Sequence, residues 1–240
     1  MVGSSEASDP LVLRSVLEEF GLRVHLYRLY QKRNVEDFFA GRGVPKECRY
    51  TVLCAHGHGP DDDPKIRLEV VDQNDGDLDA VEGGEPRPFD LSKGNVPGLV
   101  TAPRGVLMAG GCGAGREPLA RAFLEAGYDG YVGATEDYVD GDSALLFTIG
   151  FFYHLLADER DYAPRTFTDR EAAERAAAMD CEFELGTRPY RYWGPEDVAA
   201  TGSTGPGPSF SRCRCHREKQ KFHQKSGRAH ALRRGFQLGG

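Results

Sequence analysis

Two residues suited to nucleophile and base chemistry stand at matching places in the chain. His56 follows the apolar run Tyr50-Thr51-Val52-Leu53-Cys54-Ala55, and Cys112 follows Gly105-Val106-Leu107-Met108-Ala109 and the pair Gly110-Gly111. A thiol is mostly protonated near neutral pH, so a nucleophilic cysteine needs a base or a cation beside it. An imidazole fills both needs, taking the thiol proton and then giving it to a leaving amine. Glycines next to both residues let a peptide backbone come close and leave N–H groups to face an oxyanion. The chemistry implied is acyl transfer through a Cys112–His56 dyad. Taken singly, a cysteine after a glycine-rich strand end is usually a packed small hydrophobe, and a lone His-Gly is usually a turn. The weight lies in their conjunction at two strand ends. His58 also precedes a glycine and competes for the base role, but the strand running straight into His56-Gly57 favours His56.

Both residues need strands behind them and helices between those strands. YTVLCA (50–55), GVLMAG (105–110) and GYVGAT (130–135) read as buried strands. RVHLYRLY (23–30) reads as a further strand, and IRLEVV (66–71) as a hairpin strand ahead of the Asp75-Gly76 turn. Helical spacing marks 11–20, a short helix opened by Asn34 and stopped at Gly41, REPLARAFLEAG after Cys112, about 143–157, and 169–179 behind the cap candidate Thr168. The helix after Gly115 is expected to turn its positive end toward the thiol. Strands alternating with helices predict an α/β sandwich with a mostly parallel sheet, and such sheets collect ligands beyond the carboxyl ends of their strands. Beyond Trp193 the pattern fades into the linker GSTGPGPS (202–209).

Charge divides the chain. The 240 residues carry 30 Lys and Arg against 37 Asp and Glu, a net charge of −7. Residues 201–240 hold nine of the bases and the single acid Glu218, so the tail is +8 and the remainder −15. An acidic body argues against a nucleic-acid-binding core, whereas the tail is a candidate for contact with nucleic acid or an acidic partner. No run is long and apolar enough for a membrane helix, and Met1–Pro10 has no signal-peptide character, so a cytoplasmic location is expected. Cys48, Cys54, Cys112 and Cys181 are too scattered for a disulfide framework.

The segment TVLCAHGHG resembles the strand-His-Gly element of caspase-like cysteine peptidases, whose His precedes the Cys by about 50 residues. Residues 105–156 are similar to the second half of the CHAT branch, related to caspases and separase. In that branch an apolar strand ends in a Cys, and a helix closing in Ala-Gly and another strand come after it. An acidic turn and a helix with a Phe-Tyr pair come next. The resemblance covers about residues 20–160. It departs at Gly110-Gly111, where CHAT proteins often carry a serine-alanine pair or another small residue, and Gly110 stands where metacaspases carry an acid. It implies a caspase-like three-layer α/β/α sandwich over 20–195, after an N-terminal segment 1–19 and before a Gly/Pro linker and disordered basic tail at 196–240. By the same resemblance Cys112 is the nucleophile and His56 the base and acid, while Gly57 and Cys112 supply the oxyanion-hole N–H groups. The expected activity is endopeptidase cleavage of a protein or peptide without a metal or cofactor, triggered by self-processing or by a separate activator. The alternative is an inactive caspase-like scaffold module.

Substrate choice is expected from acids near the strand ends. Glu136, Asp137, Asp140 and Asp142 follow the third strand, and Asp61–Asp63 follow the His loop, a rim suited to a basic substrate residue. DQNDGDLD (72–79) does not meet the EF-hand spacing. GGCGAG lacks the Lys-Ser/Thr ending of a phosphate loop. A nucleophile elbow would require its histidine after Cys112, and in the body only His154, read as a satisfied helix residue, lies there. Cys54 reads as buried and inert, and Tyr190, Tyr192 and Trp193 as packing residues. Cys213, Cys215, His216, His223 and His230 form a weak zinc pattern in the tail.

Overall fold

A computed structural model describes residues 2–3, 9–70, 87–156, 167–180 and 189–201. Expectations for Cys181, the 72–79 segment, the 202–209 linker and the basic tail fall outside these residues. In chain order the first elements are β1 (Val2–Gly3), α1 (Asp9–Glu19), β2 (Tyr27–Arg28), α2 (Lys32–Phe39), β3 (Tyr50–Cys54), β4 (His56–His58) and β5 (Lys65–Val70). Next come β6 (Arg87–Ser92), α3 (Val96–Leu99), β7 (Val106–Ala109), α4 (Glu117–Glu125) and β8 (Gly130–Ala134). The last are α5 (Gly141–Leu156), α6 (Asp169–Asp180), β9 (Tyr190–Trp193) and α7 (Pro195–Thr201).

The main sheet has the order β2-β1-β3-β7-β8-β9 and is parallel except for β9, which runs antiparallel to β8. A smaller antiparallel sheet, β4-β5-β6, stands beside it. The molecule is therefore α/β, with a mixed, mostly parallel sheet.

Side-chain alternation along the strands splits the core in two. Leu53, Leu107, Ala109 and Tyr131 pack with Val35, Phe39, Leu119 and Phe123 of α2 and α4. Val52, Met108, Val132 and Ala134 pack with Leu13, Phe147, Phe151 and Ala176 of α1, α5 and α6. Burying each large apolar side chain stabilises the fold by about 1.5–3 kcal/mol. The fully apolar reading of β7, buried along its whole length, is explained by this double cover.

Several local expectations are revised. Of RVHLYRLY only Tyr27 and Arg28 join the sheet, at its edge. Asn34 does not open α2; it is the third helical residue, and its Oδ1 accepts the Gln31 N–H at 3.2 Å, so it caps from inside the first turn. Thr168 does cap α6: its hydroxyl accepts the Glu171 N–H, and the Glu171 carboxylate accepts the Thr168 N–H. The chain does not fade at Trp193, because that residue closes β9 and α7 comes after it, and the Trp193 indole N–H donates to Gly115 O at 2.7 Å.

No helix among the described residues is long and apolar enough to cross a membrane. His154 is not the satisfied residue its sequence suggests: its Nε2 is buried without a hydrogen-bond partner among the described residues. Burial, and then the nearby Arg175 cation, hold its pKa below the ordinary 6.5. The unfolded chain therefore takes up this proton first, so the neutral form's stability is complete above about pH 6.5 and is lost as pH falls toward the depressed folded value. Thermal midpoints of wild type and His154→Gln are expected to differ by a constant amount above pH 7. Below pH 6.5 the wild type loses ground to the variant, and a pH-independent difference contradicts this.

Candidate active site

The β3–β7 pairing determines where the chemistry-bearing residues emerge. Leu53 lies opposite Ala109, and the Gly110 N–H donates to Leu53 O at 3.2 Å, extending the ladder by one step. His56 and Cys112 each stand three residues beyond that register pair. Past Cys54 the chain does not stop, as its sequence suggests, but turns into β4 and pairs His56 with Arg67 and His58 with Lys65 of β5.

Backbone lies on backbone where the two loops meet. A Cβ on Gly57 would sit 1.9 Å from the Cys112 carbonyl oxygen and 2.7 Å from its amide nitrogen. On Gly111 it would sit 2.5 Å from Gly57 N. No side chain fits at either position, so the glycines let the His56 and Cys112 segments touch. The Cys112 N–H makes no hydrogen bond among the described residues, whereas those of Gly113, Ala114, Gly115 and Arg116 bond to carbonyls of Glu136, Gly111, Ala134 and Gly113. The expected helix-end effect on the thiol is thus revised. The α4 helix begins only at Glu117, and the N–H groups between are spent.

His56 is exposed, Cys112 is partly buried, and both line one cavity of about 170 Å³. Its walls are Leu13 of α1, Val52 of β3, and Val139, Ala144 and Leu145 on and before α5. Val139 brackets the sulfur: its N–H donates to Cys112 Sγ at 3.3 Å, and its carbonyl lies 3.7 Å away as acceptor for the thiol. Cys54 is neither fully buried nor remote, since it is partly exposed and lines the same cavity. A second cavity, about 270 Å³, opens at the other end of β3 around Tyr50, Cys48 and Phe152, away from both dyad residues.

His58 is engaged elsewhere. Its Nε2 lies 3.1 Å from Asp90 Oδ1, and Arg67 grips the same carboxylate at 3.0 and 3.2 Å. Burial pushes the Asp90 carboxyl up, but the hydrogen bonds from Arg67 and the nearby His58 imidazole outweigh it and hold the carboxyl below its ordinary value. His154 lies six residues past Thr148, the last α5 residue on the cavity, or about 9 Å along the helix. The elbow arrangement therefore has no base among the described residues.

The acids divide by role. Asp137 is paired with Arg116, which also lies 3.0 Å from Asp61, so one guanidinium serves two carboxylates and the cluster keeps a net charge of −1. Asp63 pairs with Lys65. Asp140 caps α5, its Oδ1 accepting the Asp142 N–H at 2.9 Å, and it also lines the cavity. Glu136 is exposed; its carbonyl accepts from Gly113, and its carboxylate has no partner among the described residues. Arg116 and Val139 are the site residues that sequence reasoning missed. A base in the first turn after the cysteine, with acids in both adjoining loops, was the available signal for Arg116. Among the described residues no three His, Cys, Asp or Glu side chains gather to hold a metal ion.

Replacing Gly57 with alanine forces the two loops apart. The variant is expected to lose about 1–3 kcal/mol by urea denaturation, whereas Gly98→Ala, in open space and without a positive φ, is expected to cost little. Equal losses at both positions contradict the close approach. No protein-family model and no curated protein matches the chain, so the chemistry open to this site rests on its own geometry.

Proposed function

We propose that the chain is a caspase-like cysteine endopeptidase of the three-layer α/β/α type, with Cys112 as nucleophile and His56 as general base and acid. One observation carries the reading: β3 and β7 pair in register so that His56 and Cys112 leave adjacent strands at equivalent positions and line one cavity. In the reaction, Cys112 Sγ bonds to the carbonyl carbon of a peptide while His56 takes the thiol proton. The developing oxyanion is met by the N–H groups of Cys112 and Gly57. Collapse breaks the C–N bond, and His56 protonates the leaving amine. Water then attacks the thioester, giving a proton to His56, which returns it to sulfur as the C–S bond breaks. A separate partner or self-processing belongs to the same reading as the trigger.

The cavity beside Cys112 supports a basic residue before the scissile bond. Its walls suit an aliphatic stem, and Asp140 at its rim has an oxygen beyond the one that caps α5. Asp140→Asn keeps the cap and removes the charge. This variant is expected to lose about tenfold or more in kcat/KM on fluorogenic peptides with Lys or Arg before the cleaved bond, the worth of a charged hydrogen bond. A wild-type preference for Asp-ending peptides contradicts the specificity.

The dyad is tested by residue-resolved alkylation with iodoacetamide. Cys112 is expected to react far faster than Cys54, although the two share a cavity, and His56→Ala removes the difference. Equal, slow reaction of Cys48, Cys54 and Cys112, with no peptide cleaved, would favour the alternative of an inactive caspase-like scaffold.

A further inference from the structure

Arg116 occupies an unusual position for a cation in an acidic domain. Its side chain is only 11% exposed, while the two carboxylates it meets, Asp61 and Asp137, are 90% and 88% exposed. The guanidinium is therefore drawn inward, and its partners sit outside it as lids. One terminal nitrogen donates to Gly59 O at 3.0 Å; the other bonds Asp137 and lies 3.0 Å from Asp61. Gly59 and Asp61 belong to the turn after His58 at the end of β4. Asp137 belongs to the segment that links β8 to Val139, whose backbone brackets the sulfur. Arg116 itself closes the loop that begins at Cys112, its N–H donating to Gly113 O at 3.2 Å.

That loop is shaped around the guanidinium. Gly113 has φ +63°, and a Cβ there would lie 2.9 Å from an Arg116 terminal nitrogen. Only a residue without a side chain both adopts the left-handed conformation freely and leaves the guanidinium its place. A planar fork with five donors satisfies a carbonyl and two carboxylates in three directions, which an ammonium on a flexible stem does not.

We infer that Arg116 is a positioning residue for the dyad. By tying the turn after His56–His58 and the Asp137–Val139 segment to the Cys112 loop, it sets the approach of His56 to the sulfur. It touches neither the reacting atoms nor the cavity walls. The inference rests on the dyad reading and goes beyond it. It also ties Asp61 and Asp137 to an internal cation, which halves the charge the pair presents to a basic substrate residue.

The test compares wild type, Arg116→Ala and Arg116→Lys in three readouts: melting temperature, alkylation of Cys112 relative to Cys54, and the kcat and KM of peptide cleavage. In Arg116→Ala, Cys112 alkylation and kcat are expected to fall about tenfold or more while KM stays within about twofold, the pattern of misplaced catalytic groups. Guanidinium ion at about 20 mM, too dilute to denature, is expected to restore a substantial part of both by filling the vacated site. A merely structural role would not respond to it. Arg116→Lys is expected to fall between the other two and serves if the alanine variant does not fold. Unchanged alkylation and kcat in a folded Arg116→Ala, or in Arg116→Lys where alanine unfolds the chain, overturns the inference alone. A loss that guanidinium cannot repair also overturns it. If wild-type Cys112 shows no dependence on His56 in the first place, the dyad reading fails instead.

Discussion

The parallel pairing of β3 with β7 is the constraint on which the rest of the site depends. A parallel ladder fixes register along its whole length, because a slip of one residue would turn Val52 and Met108 away from one core and Leu53 and Leu107 away from the other. With both faces buried, no such slip is tolerated. The two strands therefore end level, and the residues next in the chain after each strand are delivered to the same place. Gly57 and Gly111 then permit a backbone approach that any side chain would block. Strand register gives coarse alignment, and glycine contact gives the final approach.

Charge acts on this frame at a second level. The body is strongly acidic, yet around the site most carboxylates already have work. Asp90 holds His58 and Arg67, Asp61 and Asp137 hold Arg116, and Asp140 caps α5. These pairs are local and directional, and they fasten three loops that the sheet alone leaves free at its carboxyl edge. Asp140 keeps an open face toward the cavity. Counting acids near a strand end is thus a poor guide to specificity when an internal arginine competes for them.

The elements were legible in proportion to how far local pattern decides them. β3, β7, β8 and α4 could be read from apolar runs, a proline in the first helical turn and flanking turns, because burial on both faces leaves an unbroken signature. The candidate dyad was legible for the same reason, as two reactive residues after two such strands. The edge strand at Tyr27–Arg28 is shorter than the 23–30 run suggests, because alternation says nothing about which residues find a partner. β9 was missed because Tyr190–Trp193 is short, and its place is set by the edge of β8 rather than by its own composition. Arg116 is marked in the sequence only as a base after the cysteine between two acidic loops, and the fold is what brings its partners Gly59, Asp61 and Asp137 to it. The apolar run around Cys54 suggests uniform burial, whereas the cavity opens over the carboxyl end of β3.

The proposed dyad makes a geometric claim: the side chains at positions 56 and 112 converge. Disulfide trapping measures this directly, since two cysteines bridge only when their Cα atoms lie within about 7 Å and their Cβ vectors face each other. In a background carrying Cys54→Ser and Cys48→Ser, the His56→Cys variant is expected to form an intramolecular disulfide with Cys112 under mild oxidation, seen by peptide mapping. The matched His58→Cys variant, whose side chain points to Asp90, is expected to form none. A free Cys112 in the His56→Cys variant, or preferential trapping by His58→Cys, contradicts the account.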